Sequence, residues 1–528
     1  MPANFSVSLV HCPFWGVECP PLPLSLLAGN LRTKGFTVHL FDLNIEFYHL
    51  VTTKQKTVWL EELGLLRFSE NYLKSLMQEY HDQIEKQICQ IIGRGSQLVG
   101  FSLYESTIFY SLEIIKRLKA RSPDTLVVLG GRSTTANAGS NGLELLKNPN
   151  VDAVVFGEGD ETLPEMCAIL KDNGHFEKIP GLAFKEDDKI IHGGMRDPIP
   201  SLDAIPFSDY SEYNLNRYTN SELALFSSRG CVNRCHFCRD NLFKGLRARS
   251  GKNLFEEVHH HLSQHPDVKL FNISDSALNG SLKTIAEFSE LLLKNNIKIM
   301  WGGFAIVRND MTPELLKLMA QAGCIYLGYG IESGSITVRE SMNKQRFTNE
   351  TAAKVLKDTH DAGIKAYANF MFGFPTETEE DFQMTLNFIL HNHKWIDHVI
   401  PSISLTALLP DTYLYNNSEE FSIEKSKKHI IFWETKDGES TFLTRMERHK
   451  RFCSLCLDLG FGITDPDEKE EKWRLWGSYY SYKGNHEKVL ECYKNELTKH
   501  GKSQEAIIYF HDCGLKYEEM DSLFPFEG

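Results

Sequence analysis

No stretch of the chain approaches the ~18 consecutive apolar residues that a membrane-crossing helix needs. There is no basic excess either: 57 Lys and Arg stand against 70 Asp and Glu, a formal net charge of −13. That balance argues against a broad nucleic-acid-binding face. The opening MPANFSVSLVHCPFWG has neither the basic n-region nor the apolar h-region of a secretory leader, so a cytoplasmic location is expected. Cysteine is sparse, 12 in 528 residues, which excludes a disulfide scaffold. In a reducing compartment, closely spaced cysteines point instead to a metal or to catalysis. No low-complexity segment is present. A chain of 528 residues exceeds one hydrophobic core, so several domains are expected.

What is present is alternation. Over residues 1–175, short apolar runs (FSVSLV, FTVHLFDL, SQLVGFSLY, TLVVLGG and VDAVVFGEGD) are separated by helical patterns. Near-continuous apolar strands alternating with helices predict an α/β fold, here a doubly wound parallel sheet. Such sheets bind ligands beyond the carboxyl ends of their strands. The candidate lining is therefore YESTI (104–108), GGRSTT (130–135) and GEGDET (157–162). Residues 176–218 read as a hairpin with an acidic turn followed by a Pro-punctuated linker. Alternation resumes over 219–412 with six strand patterns: LALFSS, LFNISD, IKIMWGGF, IYLGYGIE, IKAYANFMFGF and VIPSISLTAL. These and their intervening helices predict a (β/α)6 partial TIM barrel, whose function sits at the strand carboxyl ends. Residues 413–528 read as a small helical region, with one helix pair at 473–500.

The segment GCVNRCHFCRDN (230–241) follows the first of these strands and holds Cys231, Cys235 and Cys238, spaced C-x3-C-x2-C. A structural zinc site wants four ligands, usually as two separated pairs. No second pair lies nearby, and His236 adjoins Cys235 too closely to share a tetrahedral ion with it. Cubane iron–sulfur clusters take thiolates at short spacings, and three thiolates leave one iron without a protein ligand. An open position on a metal centre marks a catalytic site.

This C-x3-C-x2-C, behind the first strand of a (β/α)6 pattern and with Phe237 before its last cysteine, resembles the radical S-adenosylmethionine superfamily. The resemblance implies a [4Fe–4S] cluster on Cys231, Cys235 and Cys238 whose free iron is chelated by S-adenosylmethionine, which is cleaved to a 5′-deoxyadenosyl radical. ISDSALN (273–279), GYGIESGS (328–335) and NFMFGFPTET (369–378) resemble the family's further strand-end motifs. On that basis Phe237, Ser274, Asp275, Arg308, Gly330, Glu332, Asn369 and Gly373 are the implied S-adenosylmethionine-binding residues, and Lys344 matches a common position.

The N-terminal half, through CPPLPLSLLAGNLRTKGFTVHLFDLN, LVGFSLYEST, LVVLGGRST and VDAVVFGEGDETLPEM, resembles the cobalamin-binding domain fused ahead of many such enzymes, the class B methyltransferases among them. It implies cobalamin bound by Tyr104, Glu105, Ser106, Thr107, Gly130, Gly131, Gly157, Glu158 and Gly159. The D-x-H-x-x-G motif of cobalamin modules with a cobalt-ligating His is missing from this half; DLNIEF is the comparable stretch, without the His or the Gly. His11, Cys12 and Cys19, at the end of the first strand, line a pocket or pack in the core. Cys453 and Cys456 form a C-x2-C on one helix face and so raise the question of a second cluster.

The expected activity is that of a cobalamin-dependent radical S-adenosylmethionine methyltransferase acting on an unactivated carbon of a small-molecule or peptide substrate. A flavodoxin- or ferredoxin-type protein would be its electron donor. The alternatives are an oxidative cyclase or rearrangement enzyme without methyl transfer, and a non-catalytic cobalamin- or metal-binding module.

Overall fold

The computed structural model describes residues 5–60, 65–134, 141–172, 174–176, 178–186, 189–242, 245–401, 405–426, 429–464, 466–469, 471–521 and 523. The chain divides into two compact units, one of residues 1–225 with 260–268, the other of 226–259 with 269–528.

The first unit is built on seven strands: β1 (Ser6–His11), β2 (Thr37–Asp42), β3 (Leu98–Ser102), β4 (Leu126–Gly130), β5 (Ala153–Val155), β6 (Leu182–Glu186) and β7 (Lys189–His192). They lie in the order β2-β1-β3-β4-β5-β6-β7. The first five run parallel, which suits their apolar character: every residue of β1 and β3 is buried. Val7 and Leu9 pack with Leu24, Leu31, Val155 and Leu163 in the core on one face. The hairpin predicted for the linker is β6–β7, and it extends this sheet antiparallel to β5. Residues 187–188 of its acidic turn, and Thr135 at the end of the 130–135 loop, lie outside the described residues. The strand order reverses between β1 and β3, so the crevice for a ligand lies at their carboxyl ends. DLNIEF begins beside the end of β1: Asp42 is in register with His11, and Asn44 Oδ1 accepts from Trp15 N. The stretch enters the helix Leu43–Leu50 behind β2, with Asp42 as the N-cap accepting from Ile45 N.

The second sheet has the order β15-β14-β13-β12-β11-β8, with β8 (Glu222–Leu225), β11 (Leu270–Ile273), β12 (Met300–Ala305), β13 (Cys324–Glu332), β14 (Lys365–Phe370) and β15 (His398–Pro401). Two short strands, β9 (Ser228–Arg229) and β10 (Arg247–Ala248), form a separate antiparallel pair. From β11 to β15 all neighbours are parallel, and helices connect them. Ser281, Thr312, Thr348 and Thr378 cap these helices, each accepting from a backbone N–H three residues on, as short hydroxyl side chains do. The last strand pattern continues into 402–404, which lie outside the described residues.

The faces of this sheet are unlike. Phe271, Ile273, Trp301, Leu327, Tyr329, Ala366, Ala368, Phe370 and Val399 are buried on the helix-covered face. Asn272, Phe304, Tyr326, Tyr367, Asn369 and His398 alternate with them on the other face and keep solvent exposure. Past β15 the chain is mainly helical, with Phe442–Asp458, Lys472–Tyr482, His486–His500 and Gln504–Asp512. Residues 473–500 are the expected helix pair.

Candidate active site

The loop after β9 begins at Gly230, whose φ of +80° few other residues tolerate. Cys235 is buried and Cys231 and Cys238 are half-buried; none of the three is in a disulfide. Cys231 Sγ accepts from Asn233 N and Cys238 Sγ from Asp240 N, each at 3.4 Å. Burial pushes the Cys238 thiol up to about 12, helped by the Asp240 carboxylate and by Cys235 and Cys231. Burial likewise raises Cys235, against the pull of the Lys344 ammonium. Among the described residues no three His, Cys, Asp or Glu side chains are arranged to hold one metal ion. A cubane does not need that, because each thiolate takes a different iron. Three cysteines in one loop, none in a disulfide, fit such a cluster, and metal loading would displace their protons. His236 is committed elsewhere. Its Nδ1 lies 2.9 Å from Ser341 O and its ring stacks on Tyr413, so it is not a spare ligand.

Beside the cysteines, Lys344 donates to Glu332 Oε1 at 2.9 Å. Desolvation opposes the Lys344 charge, but the Glu332 carboxylate and the Cys235 and Cys231 thiols prevail and raise it to about 12. Glu332 sits where the β13–β14 register shifts and has φ +64°, so the bulge re-aims its side chain. It thereby turns over Gly330: a Cβ on Gly330 would collide with Glu332 Oε1 and stand 2.8 Å from Lys344 Nζ. On the adjacent strand, the buried Asn369 Oδ1 has no hydrogen-bond partner among the described residues. An orphaned acceptor next to an ion pair and a glycine cradle is the surface a polar ligand would complete.

The other implied S-adenosylmethionine contacts fall differently. Ser274 is exposed. Asp275 turns away from the open side: it accepts from Ser227 N at 2.9 Å, Ser227 Oγ at 2.5 Å and Ser228 Oγ at 2.8 Å. It thereby fixes the strand end that leads into the cysteine loop. Arg308 donates to Asn279 O, Gly280 O and Asp310, which closes its own loop. Phe237 packs against the cluster of Val338, Met342, Met371 and Phe374. Gly373 has φ +70°, and a Cβ there would run into the Arg445 side chain.

Arg445 carries no sequence signature, yet it is fully buried, stacks at 3.8 Å over Trp433 and donates to Ile431 O and Trp433 O. One turn on, Arg448 donates to Glu377 Oε2 at 3.0 Å, and the same oxygen accepts from Gly373 N at 2.8 Å. The helix Phe442–Asp458 thus clamps the loop after β14. On that helix Cys453 and Cys456 are buried; Cys453 Sγ lies 3.6 Å from His449 Nε2. Among the described residues they belong to no group of three His, Cys, Asp or Glu that could hold a metal ion.

In the first unit the implied cobalamin loops lie at the strand carboxyl ends, and much of their polarity is spent internally. Tyr104 N donates to Thr107 Oγ1 at 3.0 Å, and Ser106 Oγ to Phe14 O at 2.7 Å. Glu105 is exposed. Gly131 has φ +111° and passes so close to Leu103 that a Cβ would stand 2.6 Å from its carbonyl oxygen. A Cβ on Gly130 would meet only ordinary contacts. Gly157 has φ +72°; Glu158 accepts from Ile199 N and precedes the helix Gly159–Lys171. Two features remain open to a ligand. Ser133 Oγ is buried without a partner, and so are both ring nitrogens of His11, which burial lowers to about 4. His11 meets Tyr104 edge-on at 6.2 Å, and Trp15 stacks on Tyr104 at 3.7 Å. Unsatisfied acceptors beside an aromatic surface fit a large ring cofactor with amide edges. Cys12 is buried and Cys19 half-buried, and burial pushes both thiols up to about 12.

Comparison with known proteins places both halves. Residues 225–389 match the model of the Radical SAM superfamily, and residues 73–166 match the B12 binding domain. An uncharacterized methyltransferase of Pyrococcus horikoshii is 27% identical over 69% of this chain and 79% of its own. The cytidylyl-2-hydroxyethylphosphonate methyltransferase of Streptomyces wedmorensis is 24% identical over 67% and 69%. Anaerobic magnesium-protoporphyrin IX monomethyl ester cyclase of Rubrivivax gelatinosus is 28% identical over 58% and 55%. Among solved structures, the cobalamin-dependent S-adenosylmethionine radical enzyme OxsB shares the fold with a TM-score of 0.63 at 16% identity, over 98% of this chain and 80% of that one. The methyltransferase TsrM from Kitasatospora setae does so with 0.58 at 15%, over 93% and 99%.

Proposed function

Because the chain belongs to the radical S-adenosylmethionine superfamily and carries a B12-binding domain, we propose that it is a cobalamin-dependent methyltransferase acting on an unactivated carbon of a small-molecule or peptide substrate. Bound together, a [4Fe–4S] cluster, S-adenosylmethionine and cobalamin supply hydrogen abstraction and a methyl group. The residues of the chain do the rest. Cys231, Cys235 and Cys238 hold the cluster and leave one iron position for an exchangeable ligand. Glu332, oriented by Lys344, accepts a hydrogen bond from the ligand's amino group or ribose, and Asn369 Oδ1 accepts another. Val338, Met342, Met371 and Phe374, packed with Phe237, keep water from the reacting side. Asp275 holds the entry to the cysteine loop. In the first unit, the loops after β1, β3, β4 and β5 receive the corrin, with His11, Tyr104 and Ser133 on their inner side. A flavodoxin- or ferredoxin-type donor and a cytoplasmic setting complete the reading.

The observation that carries it is the set of three cysteines, none in a disulfide, within eight residues of one loop, beside the Lys344–Glu332 pair. Anaerobic reconstitution with iron, sulfide, methylcobalamin, reductant and S-adenosylmethionine tests it. Formation of 5′-deoxyadenosine together with S-adenosylhomocysteine supports methyl transfer. Neither product from protein with all three cysteines intact would sink it. The 28% identity to the ester cyclase favours a second reading, oxidative cyclisation, which predicts 5′-deoxyadenosine without S-adenosylhomocysteine.

A further inference from the structure

The open face of the second sheet is more specific than a generic barrel interior. Phe304 on β12 is 52% exposed, although it lies mid-sheet. Register sets Phe304, Gly328, Tyr367 and His398 in one row across four strands, with Gly302 and Tyr326 in the row below. The two glycines decide how the rings lie. A Cβ on Gly328 would stand 2.9 Å from Phe304 Cδ1, and one on Gly302 would cut into the Tyr326 ring. The edges of the Phe304 and Tyr326 rings therefore take the space that a side chain at Gly328 or Gly302 would fill. Tyr326 and Tyr367 are near-parallel, 20° apart with centroids at 5.3 Å, and His398 meets Tyr367 at 5.1 Å. Tyr326 Oη lies 3.4 Å from Asn272 Oδ1, a polar edge to an otherwise aromatic surface.

An exposed row of rings is best met by another planar π system, by face or by edge. Four strands span about 14 Å at ~4.8 Å per strand, wider than one ring. The next row toward the strand carboxyl ends holds Gly330 and Asn369. A molecule on the floor therefore abuts the residues assigned above to the reacting centre.

We propose that this aromatic floor is the substrate site, and that the substrate carries a planar conjugated ring system larger than a single ring. The proposal rests on the methyltransferase reading for its location, and on Phe304, Tyr326 and the two glycines for its chemistry.

The test is binding without turnover. Cluster-loaded full-length protein is titrated with deuteroporphyrin IX as the planar probe, followed by the shift of its main absorption band, with free tryptophan as the one-ring probe. The expected result is saturable one-to-one porphyrin binding, with tryptophan much weaker. Phe304→Leu should weaken porphyrin binding roughly 2- to 12-fold, the range of one aromatic pair, with cluster iron content unchanged. Gly328→Val, which takes the place where the ring rests, should weaken it further. Equal binding to wild type and Phe304→Leu, or no porphyrin binding, overturns the proposal. So does a Phe304→Leu protein that changes from dimer to monomer in sedimentation, since a second copy would then be what covers the face. If the wild type yields no 5′-deoxyadenosine but binds porphyrin as described, it is the reading of the activity that fails, not the floor.

Discussion

Lys344 Nζ lies 2.9 Å from Glu332 Oε1, with side-chain exposures of only 9% and 14%. The pair stands in the field of Cys235 and Cys231, and Glu332 reaches it through a β-bulge in the left-handed region. Strain of that kind persists where the surroundings over-determine it, and it concentrates at functional sites.

Lys344→Met strands a nearly buried carboxylate and should cost about 3–5 kcal/mol. Urea denaturation checks this. Adding Glu332→Gln should recover part of the loss, because the remaining amide is neutral. The pH dependence has a definite sign. The folded Lys344 titrates near 12, above its unfolded value of about 10.4. Its stabilisation is therefore complete below the unfolded value and lost as pH rises toward 12.

Asp275→Ala removes the acceptor shared by Ser227 and Ser228 and leaves buried hydroxyls unsatisfied. A loss of about 1–3 kcal/mol is expected. Iron and sulfide per reconstituted chain should fall with it, since the freed strand end leads straight into the cysteine loop. Unchanged metal content would show that Asp275 acts on stability alone.

Gly373→Ala meets two obstacles, a φ of +70° and the Arg445 side chain, whose Cβ would lie 3.1 Å away. A loss of at least about 2 kcal/mol follows from backbone strain and overpacking together. Arg445→Met keeps the stem over Trp433 but leaves the carbonyls of Ile431 and Trp433 unpaired, and should also lower the melting temperature. In a double-variant cycle Arg445→Ala, which removes the Cγ and Cδ that the new methyl meets, should offset part of the Gly373→Ala loss.

His449 is buried and lowered to about 4 by burial, with the Lys469 cation adding to the effect. Its folded value is below its unfolded one of about 6.5, so the unfolded state binds the proton first. Stability should therefore fall as pH drops from about 6.5 toward 4. His449→Gln should flatten that fall by up to about 3 kcal/mol. Chemical denaturation at a series of pH values reads the difference.

The parts legible in the sequence are those whose information is local. The spacing of Cys231, Cys235 and Cys238 lies within eight residues, and strand–helix alternation gives both sheets. Glu332 and Lys344 were found through short motifs. What escaped depends on distant pairing. Residues 182–192 read as a hairpin, but no pattern in them says that β6 will pair with β5. Asp275 has a strand-end position suited to a cofactor, yet Ser227 and Ser228, some 47 residues earlier, claim both its oxygens. Arg445 and Gly373 are 72 residues apart and share no motif. The lean of Phe304 and Tyr326 over Gly328 and Gly302 requires knowing which glycine lies opposite each, and only the register supplies that.

The central claim is that three thiols hold a cluster with one iron open to S-adenosylmethionine. Electron paramagnetic resonance of the reconstituted, reduced protein, before and after S-adenosylmethionine is added, tests it most directly. The account predicts a [4Fe–4S] signal that changes on addition and is absent from Cys235→Ala. A cluster signal that ignores S-adenosylmethionine, or one that survives Cys235→Ala, would contradict it.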